Sequence, residues 1–306
     1  MAENTKIQWT RHTMNPWVGC AKVHTGCLHC YAEEMMQNRY GRVEWGPGGT
    51  RSKTKTPWLD ALKWDRQASE EGEKRKVFCA SLADVFELRP DLSEWRRELF
   101  ELIDKTQSLH WLLLTKRPQN VASMWHSKAV WGTDQHGRYR HIGGETQLTR
   151  REFRRENVWI GTSISDQFTA DRWGRALLRC RPFAKYLFLS LEPQIGQVNL
   201  DRLLETGLID WVIVGGESKQ GKEPARPFNP RWAEVALQSC AMFGVPCFIK
   251  QFGSNPVDDE GRSIKLQDSH GGDWDEWTEQ YRVRECPEQT AMSVLKNPLD
   301  TAPRRA

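Results

Sequence analysis

His110-Trp111-Leu112-Leu113-Leu114-Thr115-Lys116 is apolar through its middle and stops at a hydroxyl and a long cation. A run with so little polar alternation suits a parallel strand covered on both faces. The pattern recurs at Lys76 to Ser81, Val158 to Ser163, Lys185 to Ser190, Asp210 to Gly215 and Pro246 to Lys250, and a further strand is expected before Cys20. Segments of helical length separate these runs. Ser93 to Lys105 begins with a capping Ser and continues with apolar residues at helical spacing, and Gln167 to Leu178 and Pro230 to Phe243 read the same way. The rhythm is a repeated βα unit, which either closes as a barrel or opens as a doubly wound sheet.

The polar residues at the strand ends favour the barrel. Ser81 and Asp84, Thr115 and Lys116, Thr162 and Ser163, Ser190 and Glu192, and Glu217 and Ser218 follow successive apolar runs. In a barrel these carboxyl ends converge on one mouth, where the active site is built. Capping of the following helices accounts for the hydroxyls and short acids. It does not account for Lys116 or Glu192, whose long charged side chains make poor caps.

Upstream lies Asn15-Pro16-Trp17-Val18-Gly19-Cys20, then Gly26-Cys27-Leu28-His29-Cys30-Tyr31-Ala32. Three thiols so grouped invite a metal. Three cysteines can hold an iron–sulfur cube with one iron left open, and His24 or His29 could instead complete a tetrahedral zinc site. The spacing alone leaves both alternatives open. Cys79, Cys180, Cys240, Cys247 and Cys286 are scattered singly, unlike the even framework of a disulfide-rich secreted domain. The expectation is reduced thiols in a cytoplasmic protein, since Met1 to Trp17 lacks a signal-peptide core and no apolar run reaches membrane-span length. A net charge of +4 permits a polyanionic partner without requiring one, and 15 tryptophans mildly favour a nucleotide or nucleic-acid ligand, because the indole ring is a stacking surface.

The cysteine segment resembles the cluster loop of radical S-adenosylmethionine enzymes, especially the spore-photoproduct-lyase-like branch. The chain resembles still more closely a group of phage-associated three-cysteine proteins of undefined activity. Ser81-Leu82-Ala83-Asp84 and Thr115-Lys116 continue the first resemblance more weakly, and strand order extends it over most of residues 12 to 253. The spacing departs from the superfamily's usual C-x3-C-x2-C, because Cys20 and Cys27 are separated by six residues. Loop closure entropy rises slowly with length, so the longer loop does not forbid ligation.

The resemblance implies an α/β fold, a partial (β/α) barrel of the radical SAM type. It implies a [4Fe-4S] cluster on Cys20, Cys27 and Cys30, with S-adenosylmethionine on its open iron. It makes Lys116 the partner of the cofactor carboxylate, with Tyr31, Ser81, Asp84, Ser163, Glu192 and Glu217 as further cofactor-binding residues. Gly215-Gly216-Glu217 is similar to a Gly-Gly-Glu motif of the superfamily but follows a later strand, and a tight strand-to-loop turn explains it equally well. Cys79, beside the expected mouth, is either a hydrogen donor to a product radical or a buried structural thiol.

The expected organisation is a barrel over residues 1–253, with a basic insertion at about 125–157 and a C-terminal extension over 254–306. Arg138, Arg140, Arg150, Arg151, Arg154 and Arg155 make the insertion an expected nucleic-acid surface, equally readable as a solvated helix and loop. The polar, turn-rich stretch after Phe252 and the alternating Tyr281-Arg282-Val283-Arg284 read as an appended hairpin or tail. The expected function is a radical SAM enzyme that abstracts hydrogen from a nucleic acid, for repair or base modification, with an external electron donor and room for a partner protein. The alternatives are a radical enzyme on a small molecule or protein, and a non-catalytic zinc protein.

Overall fold

A computed structural model of the chain describes residues 5–125, 131–133, 139–141 and 154–288. Seven strands form one sheet: β1 (His12–Thr13), β2 (Arg75–Cys79), β3 (Leu109–Thr115), β4 (Arg155–Ser163), β5 (Ala184–Leu191), β6 (Trp211–Gly215) and β7 (Cys247–Gln251). Their order in the sheet is their order in the chain, and the paired strands are parallel. A doubly wound sheet reverses direction at a switch point. A sequential order without reversal is compatible with a partial β/α barrel.

The chain divides into two compact units, Met1–Ser163 with Arg172–Leu187, and Ile164–Asp171 with Phe188–Ala306. In the first unit, Val77, Trp111, Leu112, Leu113, Val158, Trp159 and Ile160 are fully buried, as strands covered on both faces require. Helix α1 (Thr56–Glu70) starts with Pro57 in its first turn and turns Ala61, Trp64 and Ala68 inward at helical spacing. Trp64 stacks on His12 of β1 with ring centroids 4.3 Å apart, which pins this helix beneath the first strand. Helix α2 (Ser93–Lys105) buries Leu99, Phe100, Leu102 and Ile103. It ends where the Thr106 hydroxyl donates to the Leu102 carbonyl and accepts from the Trp111 indole.

Arg155 opens β4 and is 1% exposed. Its guanidinium forks onto both Asp104 oxygens at 2.8 Å and lies over the Phe100 and Trp125 rings. The expectation that Arg155 contacts nucleic acid is therefore corrected: its charge is spent inside the core. Arg154 pairs with Glu156 at 2.6 Å. Arg140 falls on a short strand, Tyr139–His141, paired antiparallel with Trp131–Thr133. Arg138, Arg150 and Arg151 lie outside the described residues.

In the second unit β6 is buried along its whole length between β5 and β7. Helix α3 (Pro230–Phe243) has Asn229 as its cap, accepting from the Arg231 amide, and stops at Gly244, whose φ of 65° suits glycine. The expected helix over residues 167–178 is instead α-helical at Gln167–Thr169, a π turn at Ala170–Gly174, and α-helical again at Arg175–Leu178. Beyond Phe252 the chain makes turns and short 3₁₀ segments. It then returns along β7, where Ile249 donates to the Val283 carbonyl and Glu285 to that of Cys247. The alternating segment thus forms a single antiparallel bridge, Phe248 to Arg284, on the edge of β7. Phe252 stacks on Trp277 at 4.5 Å behind it.

Candidate functional site

In the first unit the segment after β1 is fixed to the end of β2. The buried Asn15 side chain accepts from the Leu82 amide at 2.7 Å and donates to the Ser81 hydroxyl at 3.0 Å. Trp17–Val18 then pairs antiparallel with Ser52–Lys53, and the Gly19 amide donates to the Leu82 carbonyl. Gly19 has φ +110°, and a Cβ there would sit 2.7 Å from the Thr50 carbonyl oxygen. Only glycine turns the chain here without strain, and that turn delivers Cys20. A 3₁₀ turn, Thr25–Cys27, follows, and His24 Nδ1 accepts from the Gly26 amide to cap it. Tyr31, directly after Cys30, donates its hydroxyl to the Ser81 carbonyl at 2.9 Å.

The charged groups come from the ends of β2 and β3. Asp84 is buried and accepts from the Thr115 hydroxyl, the Lys116 and Phe86 amides, and Arg117 Nη1 at 2.8 Å. Arg117, also buried, donates through Nη2 to the Ala21 carbonyl at 2.7 Å and through Nη1 to Cys20 Sγ at 3.6 Å. Behind it Glu87 is gripped by Arg51 at 2.7 and 2.8 Å. Lys116 Nζ donates to Ser163 Oγ at the end of β4, 3.3 Å away. The carboxyl ends of β1 to β4 and the cysteine loop are therefore joined by one hydrogen-bonded frame.

All eight cysteines are free thiols. Burial pushes the Cys20 thiol up to about 12; Asp84 acts in the same direction and Arg117 against it. Burial also raises Cys30, opposed by hydrogen bonding to the Glu33 amide and by the Lys116 charge. Burial thus favours the protonated form of both sulfurs. Among the described residues no group of three or more His, Cys, Asp or Glu side chains is drawn together as a ready metal cradle. The three thiols share one loop but, as placed, do not close on a common point. The cations of Arg117 and Lys116 act on two of them.

Of the sequence-predicted site residues, Cys20, Cys27, Cys30, Tyr31, Ser81, Asp84, Lys116 and Ser163 belong to the first unit. Asp84 is committed to the frame, its oxygens taken by Arg117, Thr115 and two amides. Cys79 is wholly buried in β2, and burial holds its thiol protonated. Glu192 and Glu217 belong to the second unit. Glu192 pairs with Lys250 at 2.5 Å and accepts from Ser190. Glu217 is buried with both oxygens on Arg226, at 2.5 and 3.0 Å, and its second oxygen also takes the Arg226 amide. A Cβ at Gly216 would fall 2.1 Å from the Phe252 carbonyl oxygen. The Gly-Gly-Glu stretch is thus a close-approach turn closed by an internal ion pair.

Sequence reading missed Asn15, Arg51, Glu87 and Arg117. Arg117 carried one local signal, its place beside Thr115-Lys116 at a strand end. The other three make their frame contacts with residues dozens of positions away, although Arg51 also donates to the nearby Gly46 and Thr50 carbonyls. No curated protein and no solved structure matches the chain. Residues 4–281 match the family model described as "Protein of unknown function (DUF5131)", and the chain belongs to that family.

Proposed function

We propose that the protein is a radical S-adenosylmethionine enzyme, its [4Fe-4S] cluster held by Cys20, Cys27 and Cys30 on a partial barrel of that superfamily's type. One observation carries the reading: the three-cysteine loop is tied to the carboxyl ends of β1 to β4, with Lys116, Ser163, Ser81 and Tyr31 gathered in the same frame. Held by Cys20, Cys27 and Cys30, such a cluster would supply one-electron reduction of bound S-adenosylmethionine, the chemistry from which that superfamily's hydrogen abstraction starts.

The chain's own residues bind and orient. Lys116 presents a compact cation to the cofactor carboxylate, steadied by Ser163. Ser81 offers a hydroxyl positioned by Asn15, and Tyr31 lies beside it, held by its bond to the Ser81 carbonyl. Asp84 acts through Arg117 and not on the cofactor. Three free cysteines so placed suit a reducing cytoplasm and an external electron donor. The substrate in this reading is a nucleic acid. With Arg155 buried and Arg154 paired, its phosphates fall to Arg138, Arg140, Arg150 and Arg151.

Anaerobic reconstitution with iron and sulfide tests the ligand assignment. The wild type is expected to take up about four irons per chain. Cys27→Ala should lose most of that iron, and Cys180→Ala, outside the loop, should keep it. Equal iron in Cys27→Ala and wild type would overturn the assignment. Stoichiometric zinc in place of iron would favour a non-catalytic zinc protein.

A further inference from the structure

Between β4 and β5 the outer face of one helical segment of the first unit carries only positive charge. From Arg172 to Leu187 the chain holds four arginines and one lysine and no Asp or Glu. Arg172, Arg175 and Arg179 are exposed while Trp173, Leu177 and Cys180 are buried, so the fold gathers three arginines on one face and the apolar residues on the other. Cations three and four residues apart on a helix repel each other. Elsewhere in the same unit Arg75, Arg89, Arg97 and Arg154 each meet a carboxylate. Arg172, Arg175 and Arg179 meet none among the described residues, and Arg172 lies over the Trp173 ring at 5.1 Å. The buried face fixes where the segment stands. The Trp173 ring is 5.1 Å from that of His24, between Cys20 and Cys27, and Cys180 Sγ donates to the Pro118 carbonyl at 3.5 Å, just past Lys116 and Arg117. The three arginines therefore stand about one helix's width from the cysteine loop, on the outer side.

We infer that the stripe of Arg172, Arg175 and Arg179 is a phosphate-gripping surface that holds one strand of a nucleic acid beside the cysteine loop. The inference rests on the nucleic-acid part of the functional reading, gives it a surface within the described residues, and does not depend on a cluster. Three guanidiniums spread over about 10 Å of helix match about three nucleotides at roughly 3.4 Å each. Each stays charged at any working pH, and its planar fork meets phosphate oxygens in pairs. Phosphate contacts fix the register of a strand and carry no sequence information. The surface therefore anchors the strand and leaves the choice of base to residues nearer the reacting atom.

Fluorescence anisotropy of a labelled single-stranded DNA of about 20 nucleotides reads the binding of the full-length protein between about 50 and 200 mM salt. Wild type is compared with Arg172→Gln/Arg175→Gln/Arg179→Gln and with Arg11→Gln/Arg66→Gln/Arg202→Gln, which removes the same charge from exposed arginines elsewhere. Circular dichroism checks each fold. The stripe variant is expected to bind about tenfold or more weakly at the lowest salt, and to lose about two from the slope of log K against log salt, at roughly 0.7 per phosphate contact on a single strand. The control variant should stay within about threefold of wild type. If the stripe variant does not fold, Arg175→Gln carries the test alone, with a slope lower by about 0.7. A wild type that binds no strand at the lowest salt overturns the nucleic-acid reading and this inference with it. A wild type that binds, matched by the stripe variant or weakened equally by the control changes, overturns the inference and leaves the nucleic-acid reading standing.

Discussion

At the scale of the residue, identity and role part company at the arginines. Arg155 belonged to a run that read as a polyanion grip, and the fold draws it inward between two aromatic rings onto Asp104. Arg117 drew no notice in the sequence and holds the cysteine loop. A guanidinium announces only that it wants several acceptors; which ones it finds depends on segments remote in sequence. The Arg155 assignment makes a stability prediction. Arg155→Met keeps much of the apolar stem and leaves Asp104 without its partner, at a cost of about 2–3 kcal/mol in urea unfolding. A change below about 0.5 kcal/mol would place Arg155 among surface arginines. The three loop cysteines were legible because close spacing of thiols is rare by chance. The burial of Glu217 against Arg226 was not, since Gly-Gly-Glu has the same letters whether it serves a ligand or a turn.

At the scale of the element, what could be read was what periodicity or capping writes locally. The extents of α2 and α3, Ser93 to Lys105 and Pro230 to Phe243, were legible from apolar spacing, but the expected capping by Ser93 is not found: α2 continues from a 3₁₀ turn over Pro90–Leu92 and has no side-chain cap. The strands were legible from their apolar runs and stop where polar residues begin. Helix α1 escaped notice: its inward face is spread over Ala61, Trp64 and Ala68 among charged neighbours, and exposed Leu59 and Leu62 blur the stripe. In residues 254–288 only the alternating Tyr281 to Arg284 gave a periodic signal, and it makes the one bridge to β7; the rest is held by turns and ring stacking. The turn after β6 depends on a missing side chain. Gly216→Ala would drive a methyl into the Phe252 backbone, and a loss of about 3 kcal/mol or more in denaturant unfolding is expected. Unchanged stability would mean that the two chain segments do not approach so closely.

At the scale of the whole molecule, polar residues at the strand ends favoured a barrel over a doubly wound sheet, and the unbroken strand order, with its two end strands unpaired to each other, is compatible with a partial one. The membership of the chain in a family of unknown function leaves the chemistry to be argued from the site. Among the described residues no helix is long and apolar enough to cross a membrane. The central claim is an open iron at a three-cysteine cluster beside Lys116, and a spectrum addresses it directly. The protein is reconstituted anaerobically, reduced, and examined by electron paramagnetic resonance with and without S-adenosylmethionine. The account predicts the signal of a reduced cube whose line shape changes when the cofactor is added. A reduced cluster indifferent to the cofactor, or no cluster signal at all, would contradict it.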